Sequence, residues 1–214
     1  MIEPKICCGA SKTKSQERRD RVKEAARKLF IENGFHATGI AQIAKESGVA
    51  VGQLYRDFAC KEDIVAAIVN TDCRSFMAAD SLRLAIGNGD EVQVRDWIRQ
   101  FVMPDDDEDS CLFAEILAEA ARNTRIAAIF EDINNDVRAL MLEALSMLAP
   151  GAALAGRRSA LADAILTMSL GMLHHQLIRA DLEVTALVDT LLAIVDRDID
   201  ALHDEALRRE PERV

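Results

Sequence analysis

The fold is decided by residues 40–58, whose sequence is IAQIAKESGVAVGQLYRDF. Ile43 and Ala44 lie on the apolar side of a short predicted helix, and Gly48 follows that helix directly. Glycine adopts left-handed backbone angles at little cost, so this position predicts a tight turn. A second short helix follows, with Leu54 and Phe58 on its buried side. Two short helices joined by a glycine turn indicate a helix-turn-helix.

The residues before this stretch predict one more helix. Apolar side chains recur there at i, i+3, i+4, i+7 and i+8, namely Val22, Ala25, Ala26, Leu29 and Phe30. The stripe ends before Gly34, which is suited to a left-handed helix cap. The first 14 residues contain three lysines and no apolar period, and we predict that they form a disordered basic arm.

The composition of the whole chain favours helices. Of its 214 residues 50% are hydrophobic and 4% aromatic, with 10 glycines and 4 prolines, which leaves little material for strands. We predict an all-α fold of about nine helices. The first three span about 15–33, 40–47 and 51–58, and the others span about 61–86, 92–101, 110–122, 125–148, 157–180 and 184–207.

Charge is distributed unevenly along the chain. The net charge is -10, yet residues 1–61 hold 12 Lys and Arg against 7 Asp and Glu, a net of +5. The remaining residues hold 14 against 29, a net of -15. Such a basic head suits a protein that approaches DNA phosphates with one small region while its acidic body stays soluble. Uneven surface charge without a function is the alternative.

Several patterns argue against secretion and membrane insertion. The odd number of cysteines and the absence of metal-like spacings favour a reducing cytoplasm over a disulfide scaffold, although a redox switch stays open: Cys7, Cys8, Cys60, Cys73 and Cys111. The chain has no uninterrupted apolar run of about 18 residues, as a membrane span requires. Its first ten residues lack a signal-peptide core. We therefore expect a cytoplasmic protein.

Neither a metal site nor an enzyme active site is predicted. His174 and His175 are adjacent, so their side chains project in different directions on a helix and do not readily share one metal. The acidic run at 105–109 lacks the glycine and the spaced ligands of a calcium loop. No glycine-rich phosphate loop, nucleophile elbow or pair of catalytic carboxylates stands out. We expect no cofactor.

Residues 18–69 closely resemble the tetracycline-repressor (TetR) family. The resemblance rests on Ala25-Ala26-Arg27-Lys28-Leu29-Phe30, Asn33-Gly34-Phe35, Ala37-Thr38, Ile43-Ala44, Ser47-Gly48-Val49, Gly52-Gln53-Leu54-Tyr55, Phe58 and Lys61-Glu62. It implies a helix-turn-helix DNA-binding domain, here 15–60, and a larger helical domain, here 61–214. In the family the larger domain binds an effector and dimerises through its last two helices.

The second short helix reads DNA only if the side chains opposite its buried residues face the major groove. These are Val51, Gly52, Gln53 and Arg56. The Gln53 amide suits the edge of adenine, Val51 suits a thymine methyl group, and Gly52 permits close backbone approach. For Val51 and Gly52, ordinary helix surface is the alternative.

Other positions are expected to contact the DNA backbone or the edge of the groove. The resemblance implies phosphate contacts for Tyr55 and Lys61. Residues at the start of the preceding helix are expected to lie near the backbone or the groove edge, namely Thr38, Gly39, Ala41 and Gln42.

Two residues depart from the family pattern. Ala50 occupies a position where a capping Ser or Thr is usual, and Asp57 occupies a position where some members have a His that faces phosphate. Phosphate repels a carboxylate, so we predict that Asp57 points away or pairs with a basic neighbour.

The last two predicted helices and the scattered large side chains suggest two further surfaces. A four-helix dimer interface is expected to include Leu161, Ile165, Leu173, Leu177, Val184, Val188, Leu191 and Val195. An intramolecular core is the alternative for this set. An apolar effector pocket is expected to draw on Phe76, Met77, Trp97, Phe101, Met103, Phe113, Met141, Met168, Met172 and His175.

Together these features predict a homodimeric, ligand-responsive repressor. Its partners would be a palindromic double-stranded DNA operator, a second copy of itself and a small, largely apolar effector. An activator or ligand-independent regulator of the same fold is one alternative. A helical enzyme or interaction module without DNA binding is another.

Overall fold

The computed structural model describes residues 13–104, 107–179 and 184–209. Within these ranges the chain forms ten α-helices, two short 3-10 segments and no strand, so the predicted all-α class is confirmed. The helices are α1 (Lys14–Asn33), α2 (Ile40–Ser47), α3 (Val51–Asp57), α4 (Lys61–Met77), α5 (Ala79–Asn88), α6 (Glu91–Arg99), α7 (Asp107–Ala120), α8 (Thr124–Leu148), α9 (Ala155–Ile178) and α10 (Val184–Arg209). The predicted basic arm lies outside the described residues except for Thr13 and Lys14, where α1 begins.

The helices divide into two compact units, Met1–Ile68 and Val69–Val214. The sequence suggests a boundary after residue 60, whereas the structure groups the first turns of α4 with α1–α3. These turns bury Ile64, Val65 and Ile68, which gives this part of α4 an apolar face of its own.

In the N-terminal unit α1, α2 and α3 share one apolar core. The hydroxyl oxygen of Thr13 accepts a hydrogen bond from the Gln16 N–H at 3.2 Å and so caps the start of α1. The helix ends at Gly34, whose φ of 82° lies in the region that favours glycine. The core holds Val22, Ala25, Ala26, Phe30, Phe35, Ile43, Ala44, Val49, Leu54 and Phe58. The predicted apolar stripe of α1 is thus its buried face, with Leu29 half-buried at its edge.

The prediction of a single helix over residues 61–86 is wrong, because Ala78 interrupts it between α4 and α5. Ala78 adopts left-handed angles, φ 41° and ψ 44°, which cost an L-residue about 1–2 kcal/mol. The turn allows both Met77 and Leu82 to be buried, and the indole N–H of Trp97 donates to the Met77 carbonyl at 2.5 Å. These tertiary contacts favour a break between α4 and α5 at Ala78, although alanine is not a residue type that signals a turn in a sequence. The predicted count of about nine helices becomes ten for this reason.

In the C-terminal unit α8 packs against both α7 and α9. A core formed by α5, α6, α8, α9 and α10 includes Leu82, Val94, Ile98, Met141, Leu145, Ala162, Ile165, Val195 and Ile199. The guanidinium of Arg158 donates to the carbonyls of Ala149 and Gly151, at 2.7 and 2.9 Å, and so satisfies acceptors just beyond the end of α8. No helix in the described part of the chain is long and apolar enough to span a membrane.

Candidate nucleic-acid interface and ligand cavity

The turn between α2 and α3 depends on Gly48. Its φ of 66° and ψ of 23° are left-handed, and its N–H points to the carbonyls of Ala44 and Lys45. The Val49 N–H donates to the Ala44 carbonyl at 3.1 Å, which closes the end of α2. A side chain at Gly48 would be strained at this φ, so the glycine fixes the angle at which α3 departs.

The short helix α3 has one buried and one exposed face. Leu54 has no exposed surface and Phe58, which caps the helix, retains 2%. Val51 is 43% exposed and Tyr55 53% exposed, and Arg56 is exposed beside them. The outward face therefore carries a β-branched residue, a phenol and a guanidinium, all of which can contact a groove or a phosphate.

Gly52 also lies on the exposed side of α3, and nothing in its surroundings requires a glycine. A Cβ built at this position meets no atom within 4 Å, and its φ lies outside the range that favours glycine. A glycine inside a helix costs roughly 0.5–1 kcal/mol relative to alanine. The fold offers no compensation for this cost.

Gln53 is half-buried and holds polar partners along α3. Its amide oxygen lies 3.5 Å from Nη1 of Arg56, and its side chain also hydrogen-bonds to Asp57. The donor and the acceptor of the amide are thus both oriented at the surface in the free protein. A base edge that offers the same pair of groups can replace these two partners.

Asp57 faces α1, as predicted, and pairs with a basic neighbour. Arg18 binds its carboxylate through Nε at 2.5 Å and Nη2 at 2.9 Å, while Arg19 donates to the Asp57 carbonyl at 2.7 Å. The hydrogen bond from Arg18 is the main reason that the pKa of Asp57 is lowered. The guanidinium of Arg19 also lies 4.3 Å from the centre of the Phe58 ring. Two arginines of α1 therefore support the end of α3.

At the start of α2 the predicted contact residues separate into two groups. Ala41 and Gln42 are exposed, and the Gln42 amide oxygen accepts a hydrogen bond from the Gly39 N–H at 2.6 Å, which satisfies a backbone donor at the start of α2. Thr38 is only 1% exposed, and its hydroxyl lies 3.0 and 2.9 Å from the carbonyls of Leu29 and Gly34. Its side chain holds the α1–α2 connection and is not available to DNA.

The structure gives Lys61, a predicted phosphate contact, two partners within the protein. Its ammonium group donates to the carbonyls of Phe35 and Thr38, the latter at 2.9 Å, and lies 4.0 Å from the centre of the Phe35 ring. These contacts tie the start of α4 to the loop between α1 and α2. The sequence gives no sign of them, because both acceptors are backbone carbonyls more than twenty residues away.

The C-terminal unit contains a cavity of about 400 Å³ lined by side chains of α4, α7, α8 and α9 and of the segment 100–103 that follows α6. Five residues expected in an effector pocket line it: Phe76, Phe101, Met103, Phe113 and Met172. Met77, Trp97 and Met141 are instead buried in the core, and Met168 packs against it. His175 is not among the lining residues. Phe130, Gln100 and Ser110 also line the cavity, although the sequence does not predict them as pocket residues.

The cysteines and histidines of the described regions show no metal site. No cluster of three or more potential metal ligands occurs among the described residues, and the rings of His174 and His175 lie 5.7 Å apart. Burial raises the pKa of the Cys73 thiol in the cavity wall to about 11, with Asp72 as a lesser cause. This thiol is almost fully protonated at neutral pH, which argues against a reactive redox switch at Cys73. Cys7 and Cys8 lie outside the described residues.

The apolar residues expected at a dimer interface do not form one surface. Ile165, Val188 and Val195 are buried within the chain itself, so for them the intramolecular alternative holds. Leu161, Leu173, Val184 and Leu191 are half-buried, and Leu173 also lines the cavity. Leu177 is 37% exposed and the adjacent Ile178 is 62% exposed, both near the end of α9.

The helix-turn-helix of α2 and α3, with a basic α1 behind it, defines a DNA-binding domain. Residues 23–68 match the model of bacterial regulatory proteins of the tetR family. The HTH-type transcriptional regulator UidR of Escherichia coli K12 is 31% identical over 123 residues, which is 56% of this chain and 60% of UidR. The chain therefore spans less than two thirds of the length of the curated relative.

The fold extends this likeness over most of the chain. Salmonella enterica GusR has a TM-score of 0.65 at 20% identity, covering 90% of this chain and 98% of GusR. A TetR transcription regulator from Haloarcula marismortui has a TM-score of 0.67 at 16% identity, covering 87% of this chain and 98% of that chain. Residues 23–68 thus resemble the tetR family of bacterial regulatory proteins, the fold over most of the chain is that of solved TetR regulators, and the relatives named here are regulators rather than enzymes.

The pair between Arg18 and Asp57 predicts a pH-dependent contribution to stability. Folding lowers the pKa of Asp57, so its carboxylate stabilises the fold at pH values above the pKa of an unfolded aspartate, which is about 3.9. That contribution disappears as the pH falls through the lowered pKa. Asp57→Asn should therefore reduce the urea midpoint at pH ~7, and the difference from the native chain should shrink below pH ~4.

Circular dichroism of urea unfolding across this pH range tests the prediction. Asp189→Asn, at an exposed position of α10, is the matched control and should leave the midpoint unchanged. An Asp57→Asn variant as stable as the native chain at neutral pH would show that the ion pair does not hold α3.

Proposed function

We propose that the chain is a homodimeric repressor that binds a palindromic DNA operator through paired α3 helices. A small, largely apolar molecule in the cavity of the C-terminal unit releases it from DNA. The proposal is carried by one observation, the outward face of α3. There Val51, Tyr55 and Arg56 are exposed over a fully buried Leu54, with Gln53 beside them.

DNA recognition is supported by the chemistry of this face. Gln53 can form two hydrogen bonds to an adenine, Val51 can contact a thymine methyl group, and Gly52 lets the backbone approach. Tyr55 and Arg56 offer donors to phosphates. The pair between Arg18 and Asp57 neutralises a carboxylate that would otherwise repel the DNA backbone. Lys61 and Thr38 act indirectly in this proposal, by holding the position of α2.

Dimerisation is supported by the exposed apolar surface at the end of α9. The side chains of Leu177 and Ile178 are exposed to solvent, and burial against a second copy of the chain removes them from water. A two-fold dimer presents two α3 helices to two half-sites about 34–36 Å apart on DNA. Palindromic DNA then matches the symmetry of the protein.

Effector control is supported by the apolar cavity in the C-terminal unit. A molecule that binds better to a conformation with the wrong α3 spacing shifts the population away from the DNA-bound state. The helix α4 runs without interruption from the N-terminal unit into residues that line the cavity, which include Cys73 and Phe76. A repressor of this kind acts where bacterial DNA lies, in the cytoplasm.

Two other functions differ from this proposal in measurable ways. An activator or a ligand-independent regulator would bind DNA as proposed but would raise transcription or ignore small molecules. A helical interaction module or enzyme would bind no DNA. Binding to the DNA upstream of the chain's own gene, with affinity that falls steeply as salt rises, separates these classes because phosphate contacts release counterions.

Gln53→Ala tests sequence recognition. The change should weaken operator binding by roughly 1–3 kcal/mol, or about 5- to 150-fold, while binding to random DNA stays the same. Fluorescence anisotropy with both DNAs at one salt concentration measures this difference. Gln93→Ala, an exposed glutamine of α6, is the control and should bind both DNAs normally. Equal losses on both DNAs would mean that Gln53 reads no base.

Gly52→Ala tests whether the glycine serves DNA approach and not the fold. The variant should be more stable by about 0.5–1 kcal/mol, because alanine is the better helix former, yet bind the operator at least ~5-fold more weakly. Gly87→Ala in α5 is the matched control, because a Cβ there also meets no atom within 4 Å. It should gain stability without losing affinity for DNA. Normal DNA binding by Gly52→Ala would contradict the assigned role.

Leu177→Glu tests the dimer. A charge at the proposed interface should convert the dimer to a monomer in sedimentation velocity and remove cooperative operator binding, because a buried unpaired carboxylate is costly. Val92→Glu places the same charge on an exposed apolar position of α6 and should leave the dimer intact. If Leu177→Glu sediments as the native chain does, this end of α9 is not the interface.

A further inference from the structure

The cavity of the C-terminal unit has an aromatic part. Phe76 and Phe101 meet edge-to-face with ring centres 5.1 Å apart, and Phe113 and Phe130 do the same at 5.2 Å. All four rings line the cavity. Aromatic walls in this arrangement offer both ring faces and ring edges to a flat apolar guest. At about 400 Å³ the cavity lies at the small end of the usual range for ligand pockets, roughly 300–1,000 Å³.

The same cavity has two polar atoms without a protein partner. The Gln100 side-chain nitrogen and the Ser110 hydroxyl are buried and make no hydrogen bond within the described part of the chain. Ser110 is only 2% exposed, and both residues line the cavity. A buried polar group that lacks a hydrogen-bond partner destabilises a protein. A ligand group that accepts from Gln100 and bonds to Ser110 removes this cost.

The charges of the lining residues restrict the ligand further. Of the 22 lining residues that the structure describes, Asp72 alone bears a formal charge, and Lys, Arg and His are absent from that described set. Its negative charge is felt at the cavity wall, since it contributes to the raised pKa of Cys73. An anion entering this cavity would lose its hydration without gaining a cationic partner, which is strongly unfavourable.

We propose that the cavity binds neutral or cationic aromatic molecules that carry a hydrogen-bond acceptor, and that it excludes anions. Gln100 Nε2 donates to the acceptor, the Ser110 hydroxyl makes a second hydrogen bond to the same group, and the four phenylalanines enclose the aromatic body. The ligand class proposed here rests on the proposed function only where it concerns release of the protein from DNA. Binding of the ligand itself can be measured without DNA.

A pair of fluorescent probes tests the charge rule on the full chain. Dansylamide and 5-dimethylaminonaphthalene-1-sulfonate share one aromatic skeleton and a sulfonyl acceptor, and only the second carries an anionic group. The neutral probe should bind with a Kd at least ~10-fold lower than the sulfonate, since the cavity offers no cation to the anion. Ser169→Trp, which fills the cavity from α9, should abolish binding of the neutral probe. Equal or tighter binding of the sulfonate, or undiminished binding to Ser169→Trp, would overturn the proposal.

The polar contacts are tested with the neutral naphthyl ketone prodan, whose emission shifts to the red when its carbonyl accepts a hydrogen bond. Ser110→Ala and Gln100→Leu should each raise the Kd of prodan about 5-fold and shift the bound emission to the blue. Ser81→Ala, at an exposed serine of α5 outside the cavity, should change neither quantity. Unchanged Kd and emission in both cavity variants would overturn the assignment, as would a failure of prodan to bind.

The same samples distinguish failure of this inference from failure of the proposed function. If the probes bind as expected but operator affinity does not respond to them, the ligand class stands and the proposed release from DNA fails. If operator binding is normal but the neutral probes do not bind, the inference about the cavity fails and the DNA-binding proposal stands.

Discussion

The burial of Leu54 determines what α3 presents to its surroundings. A helix of seven residues has room for one apolar anchor, and Leu54 has no exposed surface while Phe58 closes the helix. The helical period then places Val51, Tyr55 and Arg56 on the outside. Gly48 fixes the direction of α3 because only a residue tolerant of left-handed angles can connect it so closely to α2. The proposed reading of DNA follows from these two constraints.

Electrostatic pairs keep this small unit compatible with a polyanion. Asp57 carries a negative charge on α3, but Arg18 binds it in a bidentate arrangement on the side toward α1. Lys61 uses its ammonium group to hold two carbonyls of the α1–α2 connection. Some of the basic head therefore organises the fold, and only part of its charge is directed outward. The remaining chain carries an acidic excess, which in the proposed function keeps nonspecific attraction to DNA low.

Local patterns in the sequence predict the N-terminal unit well. The stripe from Val22 to Phe30, the turn at Gly48 and the buried Leu54 are each defined by residues that are close in sequence. For such features the spacing of apolar residues and glycines decides which structure forms. The break at Ala78 could not be predicted, because alanine gives no turn signal and the bend depends on packing of Met77 and Trp97. Periodicity alone also does not reveal whether Ile165 and Val195 face the chain's own core or a partner.

The candidate sites show the same division between local and distant causes. The exposed residues of α3 follow from helix geometry. The contacts of Lys61 depend instead on the carbonyls of Phe35 and Thr38, which only the folded chain brings close to it. Large side chains pointed to part of the cavity through Phe76, Phe101 and Phe113. The polar atoms of Gln100 and Ser110 gave no signal in the sequence, because an unpartnered hydrogen-bonding group is defined only by its three-dimensional surroundings.

Dimethyl sulfate footprinting of a DNA site bound by the full chain tests the central claim most directly. This reagent methylates guanine N7 in the major groove and adenine N3 in the minor groove. If α3 enters the major groove of two half-sites, guanine N7 should be protected in two clusters about one helical turn apart, with adenine N3 unaffected. Protection of adenine N3 alone, or guanines left unprotected in both half-sites of a bound DNA that contains them there, would contradict the account.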